Sequence, residues 1–359
     1  MSFLGGLFGA NKSGESVIGI DLGSSSLKVV QLRRQAGRAV LETYGELALG
    51  PYAGSEIGQA TNLSAEQITE TLKDLIREAK VTTTSAGVSI PFARSLLTVV
   101  DLPRRKSPEE QKTVIELEAR KYIPVPVAEV QLDWFIIPDQ DPAGDARTDK
   151  VSVLLVAVHN DELKLLEGVV KGAGLSASFY EIEIFSTIRA VVDEPVKPVM
   201  VLDIGASSTK CYVVEHGIVQ LSHTITAGSQ DITQAIAAAD NVPIKRAEQM
   251  KKEIGLGTGD SVKASSELVF GRIFAEARRV LVQYETAHQK SIAGIVLTGG
   301  GGVTKQLGAY AQSAFSIAVK VADPFAKTEA PAFIRPVLEE IGPEFAVAVG
   351  LALRKLDEK

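Results

Sequence analysis

The chain has 359 residues, of which 45% are hydrophobic and 23% are charged, and its formal net charge is −6. This length allows about two or three domains with a large core, and the acidic balance excludes the basic surface that nucleic-acid-binding proteins carry. The only cysteine, Cys211, excludes an intrachain disulfide and is typical of a protein of the reducing cytoplasm. No segment approaches the ~20 apolar residues of a membrane span, and residues 1–14 lack the basic start of a secretory signal.

The first part of the chain predicts strands, a tight turn and a capped helix. Residues 1–16 are expected to form a flexible tail; its phenylalanines alternatively allow a weak contact with a membrane surface or a partner. Residues 17–20 are a short apolar strand that ends at Asp21, and a turn rich in Gly and Ser separates it from a second strand, residues 27–32. Ser64, with a glutamine three residues later, predicts the N-terminus of a helix because the two side chains can form a capping box.

Residues 103–172 predict an inserted βαββα subdomain. Ser107 precedes a proline at the first helical position, and Glu110 completes the start signal of a helix. Two prolines within residues 122–126 must end that helix. Residues 150–159 read as a strong strand, and a second helix follows and ends at glycines.

The rest of the chain completes an α/β fold in two lobes. A strand at residues 199–202 ends at Asp203, residues 229–289 are mostly helical, and the strand at residues 292–297 ends in four glycines. We therefore assign residues 17–102 and 173–198 to a first lobe, residues 199–228 and 290–359 to a second lobe, and residues 229–289 to a helical subdomain of that second lobe.

Small residues predict a close helix crossing between the lobes. Ser186 and Ala190 are four apart on one predicted helix, and Ala346 and Gly350 are four apart on the last one. Side chains at this spacing share one face of a helix, so we expect the two helix backbones to approach each other closely.

Two segments, residues 18–28 and 201–210, repeat the same pattern: a strand, Asp, an apolar residue, Gly, and then small residues and serines. The glycine lets the chain turn, and the backbone N–H groups after it can point into one concavity suited to phosphate oxygens. An aspartate beside such a turn suits Mg²⁺, which keeps several waters and takes one or two carboxylates. The repeat predicts that two related lobes hold a magnesium nucleoside triphosphate between them.

The predicted site follows residue by residue from the repeat. The phosphate-binding residues are Gly23, Ser24, Ser25, Ser26 and Lys28 in the first copy, and Gly205, Ala206, Ser207, Ser208 and Thr209 in the second. The predicted metal ligands are Asp21 and Asp203. The glycines at residues 299–302 do not form a P-loop, because Thr304 precedes Lys305 and the motif needs the reverse order.

These motifs resemble those of the actin, Hsp70 and sugar-kinase superfamily. Residues 297–301 resemble its adenosine motif, and residues 247–255 resemble the helix that holds ribose and adenine in bacterial actin relatives. The resemblance implies an actin-like (ribonuclease H-like) two-lobed ATPase fold with an FtsA-type inserted subdomain. It adds Glu248, Lys251, Gly299, Gly300 and Gly301 as nucleotide contacts and Glu183 as the residue that orients the attacking water. Each of these residues also has a purely structural interpretation. The glycines could form only a tight connection between a strand and a helix. Glu248 and Lys251 could lie on an exposed helix face, and Glu183 could make a structural polar contact.

Residues 118–133 and 181–190 are similar to the PilM family, the cytoplasmic actin-like proteins of type IV pilus assembly. The similarity implies a cytoplasmic ATP-binding scaffold, peripheral to the inner membrane, that hydrolyses ATP slowly at most. It also implies that the N-terminal cytoplasmic peptide of the inner-membrane protein PilN binds in a groove between the inserted subdomain and the first lobe. Candidate groove residues, which would otherwise be core, are Phe92, Leu96, Tyr122, Ile123 and Val125.

Several alternatives stay open at this point. A pilus motor ATPase and further copies of the chain are additional candidate partners. An FtsA-like cell-division scaffold shares the fold, although the chain ends without the C-terminal amphipathic helix of FtsA. A sugar or small-acid kinase of the same superfamily needs a carboxylate base, and no Asp or Glu stands in a context that marks this role.

Overall fold

The computed structural model describes residues 15–138, 149–193 and 196–357. All but the last two residues of the predicted tail, 1–16, lie outside the described residues. The described part contains two five-stranded sheets and a smaller three-stranded sheet.

The first sheet forms the core of the first lobe. Its strands are β1 (Ser16–Leu22), β2 (Ser26–Gln35), β3 (Arg38–Ala48), β4 (Ser85–Ile90) and β8 (Ser176–Ile182), in the order β3-β2-β1-β4-β8. The first three strands are antiparallel, whereas β4 and β8 run parallel to β1. Helix α1 (Ala65–Glu78) begins at the predicted capping box of Ser64 and Gln67. The interior of β1 is buried along its length, as expected of a strand covered on both faces.

The second sheet repeats this arrangement. Its strands are β9 (Val199–Ile204), β10 (Thr209–Glu215), β11 (Ile218–Ile225), β12 (Gly294–Thr298) and β13 (Val319–Val321), in the order β11-β10-β9-β12-β13. Again three antiparallel strands are followed by parallel ones. The region predicted to be mostly helical contains α5 (Ser229–Asp240), α6 (Ile244–Ile254) and α7 (Asp260–His288). Helices α8 (Leu307–Phe315) and α9 (Arg335–Ile341) follow later in the chain. The two lobes are therefore related in topology, as the sequence repeat predicted.

The inserted subdomain begins earlier in the chain than predicted. Its elements are β5 (Ser95–Pro103), α2 (Pro108–Ala119), β6 (Val130–Ile136), β7 (Lys150–His159) and α3 (Asn160–Gly172). The predicted boundary at residue 103 placed β5 in the first lobe. However, β5 pairs with β7 along its whole length, so it belongs to the small sheet, whose order is β5-β7-β6. Helix α3 packs against α1 and β8 and thereby attaches the subdomain to the first lobe.

Two helices cross between the large sheets. They are α4 (Glu183–Val191) and α10 (Ala346–Asp357), and they contact each other extensively. A Cβ atom on Gly350 would overlap the backbone carbonyl of Ser186, which confirms the predicted close crossing. Helix α10 packs on β1, β2 and β4, so the C-terminal helix that was assigned to the second lobe lies on the first sheet. The prediction was wrong here because an apolar helix pattern does not show which sheet the helix covers.

A buried ionic cluster joins the two crossing helices to the first sheet. The carboxylate of Glu181, the second-last residue of β8, accepts hydrogen bonds from Ser186 Oγ at 2.5 Å, from both Arg189 Nη atoms at 2.8 and 2.9 Å, and from Arg354 Nη1 at 2.9 Å. Burial raises the pKa of Glu181, but the two arginines outweigh burial and hold the pKa below its usual value.

This cluster predicts an acid-sensitive fold. Because the folded-state pKa of Glu181 lies below the unfolded value of 4.5, its contribution to stability is present above about pH 4.5 and is lost as the pH falls through the folded-state pKa. The melting temperature of the wild type should therefore fall below that pH more steeply than that of a Glu181→Gln variant, which has no charge to lose. Thermal melts between about pH 7 and pH 3 test this, and parallel curves for the two proteins would contradict it.

Candidate functional site

The two predicted turns face each other across a cleft between the lobes. Ser24 Oγ, in the turn between β1 and β2, lies 3.3 Å from Ser207 Oγ, in the turn between β9 and β10. Both serines line a cleft with a volume of about 500 Å³, which is in the usual range for a small-molecule site. The repeated motifs therefore meet head to head.

Each hairpin also places an aspartate opposite a lysine. Asp21 is paired with Lys28 across β1 and β2, and Asp203 is paired with Lys210 across β9 and β10. Lys210 Nζ lies 3.3 Å from Asp203 Oδ2, whereas Lys28 Nζ donates to Ser26 Oγ at 2.6 Å. Lys210 lines the cleft but is missing from the predicted site. The available signal was the repeat itself, because both copies have the same spacing from Asp to Lys.

Buried charges of both signs form the floor of the cleft. Burial raises the pKa of Asp21 to about 7; Lys28 and Lys210 act against this rise, and Glu183 and Asp203 add to it. Burial also acts to lower the pKa of Lys210, but Asp203 and Glu183 outweigh burial and raise that pKa well above its usual value. Lys210 is therefore a fixed positive charge, whereas the desolvated carboxylate of Asp21 would be stabilised by a further cation.

Glycines allow the backbone around the two aspartates to turn tightly. A Cβ atom on Gly23 would lie 2.7 Å from Ser26 O, and one on Gly205 would lie 2.9 Å from Ser208 O. Gly299 has a φ of +81°, and a Cβ atom there would overlap the carboxylate of Asp203. Larger residues at these positions would fill the space around the two aspartates or distort the turns.

Most of the predicted nucleotide contacts line the cleft, and two do not. The cleft is lined by Gly23, Ser24, Ser25, Ser26, Lys28, Gly205, Ala206, Ser207, Ser208, Glu248, Lys251, Gly299 and Gly300, together with Asp21, Asp203 and Glu183. Thr209 is fully buried and donates to Ala227 O at 2.8 Å, on the side of β10 away from the cleft. Gly301 packs on Ile204 and donates its N–H to Ile204 O at 2.7 Å. Thr209 and Gly301 therefore pack behind the residues that line the cleft and are not part of the lining themselves.

Helix α6 forms one wall of the cleft. Glu248 and Lys251 are buried and lie 2.6 Å apart, and Glu248 Oε2 accepts a hydrogen bond from Thr233 at 2.7 Å. They are therefore not an exposed helix face. Burial acts to raise the pKa of Glu248, but Lys251 outweighs burial and lowers it. Gly58 of the first lobe approaches this carboxylate so closely that a Cβ atom would lie 2.7 Å from Glu248 Oε2, so the first lobe also borders this wall.

Glu344, which was not predicted as a site residue, also lines the cleft. A short helical turn before α10 brings it opposite the glycine loop, where its Oε2 would lie 3.8 Å from a Cβ atom on Gly300. Burial, and then the negative charge of Glu46, raise the pKa of Glu344 to about 7. No local motif marks such a residue, because its neighbours are distant in the sequence.

The cleft fits a metal–nucleotide complex better than a bare metal ion. Among the described residues, no group of three or more His, Cys, Asp or Glu side chains could hold a metal ion. Two aspartates with small residues and lysines around them instead suit Mg²⁺ that keeps waters and phosphate oxygens as its other ligands.

The predicted groove residues have different environments. Ile123 is buried in the core of the inserted subdomain, and Leu96 and Val125 pack against the same core. Phe92 packs against the core of the first lobe, whereas Tyr122 is 42% exposed. The alternative that these residues are core is correct for Ile123. Tyr122 presents the most accessible apolar surface of the set.

Comparison with known proteins identifies the family. A family model described as type IV pilus assembly protein PilM matches residues 19–356. The chain belongs to the PilM family. The cell division protein FtsA of Neisseria meningitidis serogroup B (strain ATCC BAA-335 / MC58) is 25% identical over 352 residues, which cover 85% of this chain and 82% of FtsA. The chain is therefore an actin-like protein of pilus assembly with relatives among the FtsA proteins.

Solved structures confirm the actin-like fold. A PilM–PilN type IV pilus biogenesis complex aligns with a TM-score of 0.79 at 24% identity, covering 95% of this chain and 98% of that chain. MreB5 of Spiroplasma citri bound to ADP aligns with a TM-score of 0.55 at 13% identity, covering 94% and 95% of the two chains. In the part of the PilM-family chain that the structure describes, no helix is both long and apolar enough to span a bilayer.

Proposed function

We propose that the chain binds ATP and Mg²⁺ in the inter-lobe cleft and acts as a cytoplasmic scaffold of type IV pilus assembly. The observation that carries the proposal is the head-to-head meeting of the two turns, with Ser24 and Ser207 3.3 Å apart and Asp21 and Asp203 both lining the cleft. Membership of the PilM family supports the pilus role.

Each wall of the cleft has a separate part in this proposal. Asp21 and Asp203 would hold Mg²⁺ and its waters, and the metal would neutralise phosphate charge. The serines and small residues of both turns would donate hydrogen bonds to phosphate oxygens, with Lys210 as a fixed positive charge. Glu248 and Lys251 would contact the ribose, and the glycine loop at Gly299 and Gly300 would leave room for the base.

Hydrolysis is expected to be slow, because Glu183 has no free oxygen. Glu183 Oε1 accepts the backbone N–H of Phe92 at 2.6 Å, and Oε2 lies 2.7 Å from Lys210 Nζ. A carboxylate whose two oxygens already take part in these contacts is poorly placed to accept a proton from an attacking water.

The inserted subdomain is the proposed site for the N-terminal cytoplasmic peptide of a PilN-like inner-membrane protein. The support is the solved PilM–PilN complex, which has this fold, together with the exposed side chain of Tyr122 and the half-buried Leu96 and Val125, which pack on the core of the inserted subdomain. This partner would make the scaffold peripheral to the inner membrane. The comparisons give no support for a pilus motor ATPase or for self-association.

Peptide binding tests this proposal. Tyr122→Ala should weaken binding of the PilN-like N-terminal peptide about tenfold or more, as expected when an aromatic anchor of an interface is truncated. Fluorescence anisotropy with the labelled peptide measures the affinity. Val282→Ala, which removes a half-exposed side chain on α7 of the other lobe, should leave the affinity unchanged. Equal affinities of all three proteins would exclude the proposed groove.

A further inference from the structure

Glu183 connects three parts of the molecule. It is the first residue of α4, directly after β8, and it is only 7% exposed. One carboxylate oxygen accepts the N–H of Phe92 and the other is paired with Lys210 of the second lobe. The side chain therefore bridges the nucleotide cleft and the backbone at residue 92.

The backbone at Phe92 is the junction through which the inserted subdomain leaves the first lobe. A short turn, Phe92–Arg94, lies between β4 of the large sheet and β5 of the small sheet. Ser95 Oγ donates to Phe92 O at 2.9 Å, which fixes the first residue of β5 to this turn. A change in the hydrogen bond between Glu183 and the N–H of Phe92 would therefore shift the start of β5.

Lys210 is the part of this connection that a nucleotide can reach. Its ammonium group is shared between Glu183 at 2.7 Å and Asp203 at 3.3 Å, and it faces the cleft. An ammonium group has three N–H donors and no acceptor, and the contacts with Glu183 and Asp203 use two of them. A phosphate oxygen that accepts the third would draw Lys210 toward the nucleotide and so weaken its ion pair with Glu183.

Strand β5 also touches the second lobe directly. Residues 97–99 of β5 and residues 219–222 of β11 line a small cavity of about 110 Å³ between the inserted subdomain and the second sheet. The strand is therefore contacted by the second lobe along its side and held near its start through Glu183. A shift of the lobes around a nucleotide would act on β5 at both places.

We propose that Glu183 is a positioning residue that links nucleotide occupancy of the cleft to the conformation of residues 92–103, and hence to the affinity of the inserted subdomain for its partner peptide. The link rests on the proposed function of the cleft. It is reciprocal, because any effect of nucleotide on the peptide site equals the effect of peptide on nucleotide affinity.

Hydrogen exchange on the full chain, with and without a non-hydrolysable ATP analogue and Mg²⁺, tests the link. In the wild type, nucleotide should change the exchange rate in residues 92–103 about fivefold or more, the lower end of ordinary allosteric coupling. Glu183→Gln keeps an oxygen for the N–H of Phe92 but loses the charge that faces Lys210. At a nucleotide concentration that saturates this variant, as measured by calorimetry, the change in exchange should be less than about twofold.

Two further variants make the result specific. Glu116→Gln, the same substitution at an exposed position on α2, should behave as the wild type. Glu183→Asp keeps the charge but is too short to span both partners, so it should also lose the response and provides a second test if the glutamine variant fails to fold.

The outcomes separate this proposal from the one on which it rests. A wild type that binds nucleotide without a change in residues 92–103, or Glu183 variants that keep the full change, would overturn the link alone. Calorimetry that detects no nucleotide binding to the wild type would overturn the proposed function as well.

Discussion

Replacing Gly350 with alanine is expected to destabilise the protein by about 3 kcal/mol or more, the upper range for overpacking a core. The added Cβ atom would overlap the backbone carbonyl of Ser186 where α4 and α10 cross. Helix α10 cannot retreat easily, because a Cβ atom on Gly19 of β1 would likewise overlap the backbone of Ala348, so α10 already lies tightly on the first sheet. Chemical denaturation of the two proteins measures the difference in the free energy of unfolding.

The matched control is Gly271→Ala on α7. A Cβ atom at Gly271 meets nothing within 4 Å, so only helix propensity should act, and propensity favours alanine over glycine by about 1 kcal/mol. The same substitution is therefore expected to stabilise the protein at residue 271 and destabilise it at residue 350. A Gly350→Ala variant as stable as the wild type would show that the two helices do not cross at this residue.

The substitutions Asp21→Asn and Asp203→Asn are each expected to weaken the binding of Mg²⁺–ATP on the order of 10- to 100-fold, as is usual when a carboxylate that supports a metal is lost. Both keep the size of the side chain and remove its charge. Isothermal titration calorimetry at fixed Mg²⁺ gives the dissociation constants. Removing Mg²⁺ with a chelator should weaken binding to the wild type and should have much less effect on the variants.

Asp161→Asn provides the control, because this aspartate is on the surface of α3 with its side chain 94% exposed. Its affinity for Mg²⁺–ATP should equal that of the wild type. If the two cleft variants also bind as tightly as the wild type, the aspartates do not support the metal.

Features that depend on neighbouring residues in the chain were predictable from the sequence. The turns at Gly23 and Gly205 and the capping box at Ser64 follow from short motifs, and the repeat of two motifs implied two related lobes. The alternation of side chains along a strand could also have improved the predicted list of site residues. Successive side chains of a strand point to opposite faces, so Lys210 and Thr209 cannot both face the cleft.

Features that depend on distant pairing were not predictable in this way. The pattern of β5 shows a strand, but its partner is β7, which lies far along the chain. The apolar residues of α10 show a buried helix without showing that the helix covers the first sheet. Glu344 has no motif, because carboxylates from remote segments define its environment. Glu181 lies in a PilM-like segment, but its partner Arg354 is 173 residues away in the chain.

The most direct test of the central claim is an experimental structure of the full chain with Mg²⁺ and a non-hydrolysable ATP analogue. We expect the triphosphate between the turn at residues 23–26 and the turn at residues 205–208, with the metal beside Asp21 and Asp203. A nucleotide bound elsewhere, or a cleft left empty at saturating nucleotide, would contradict the account.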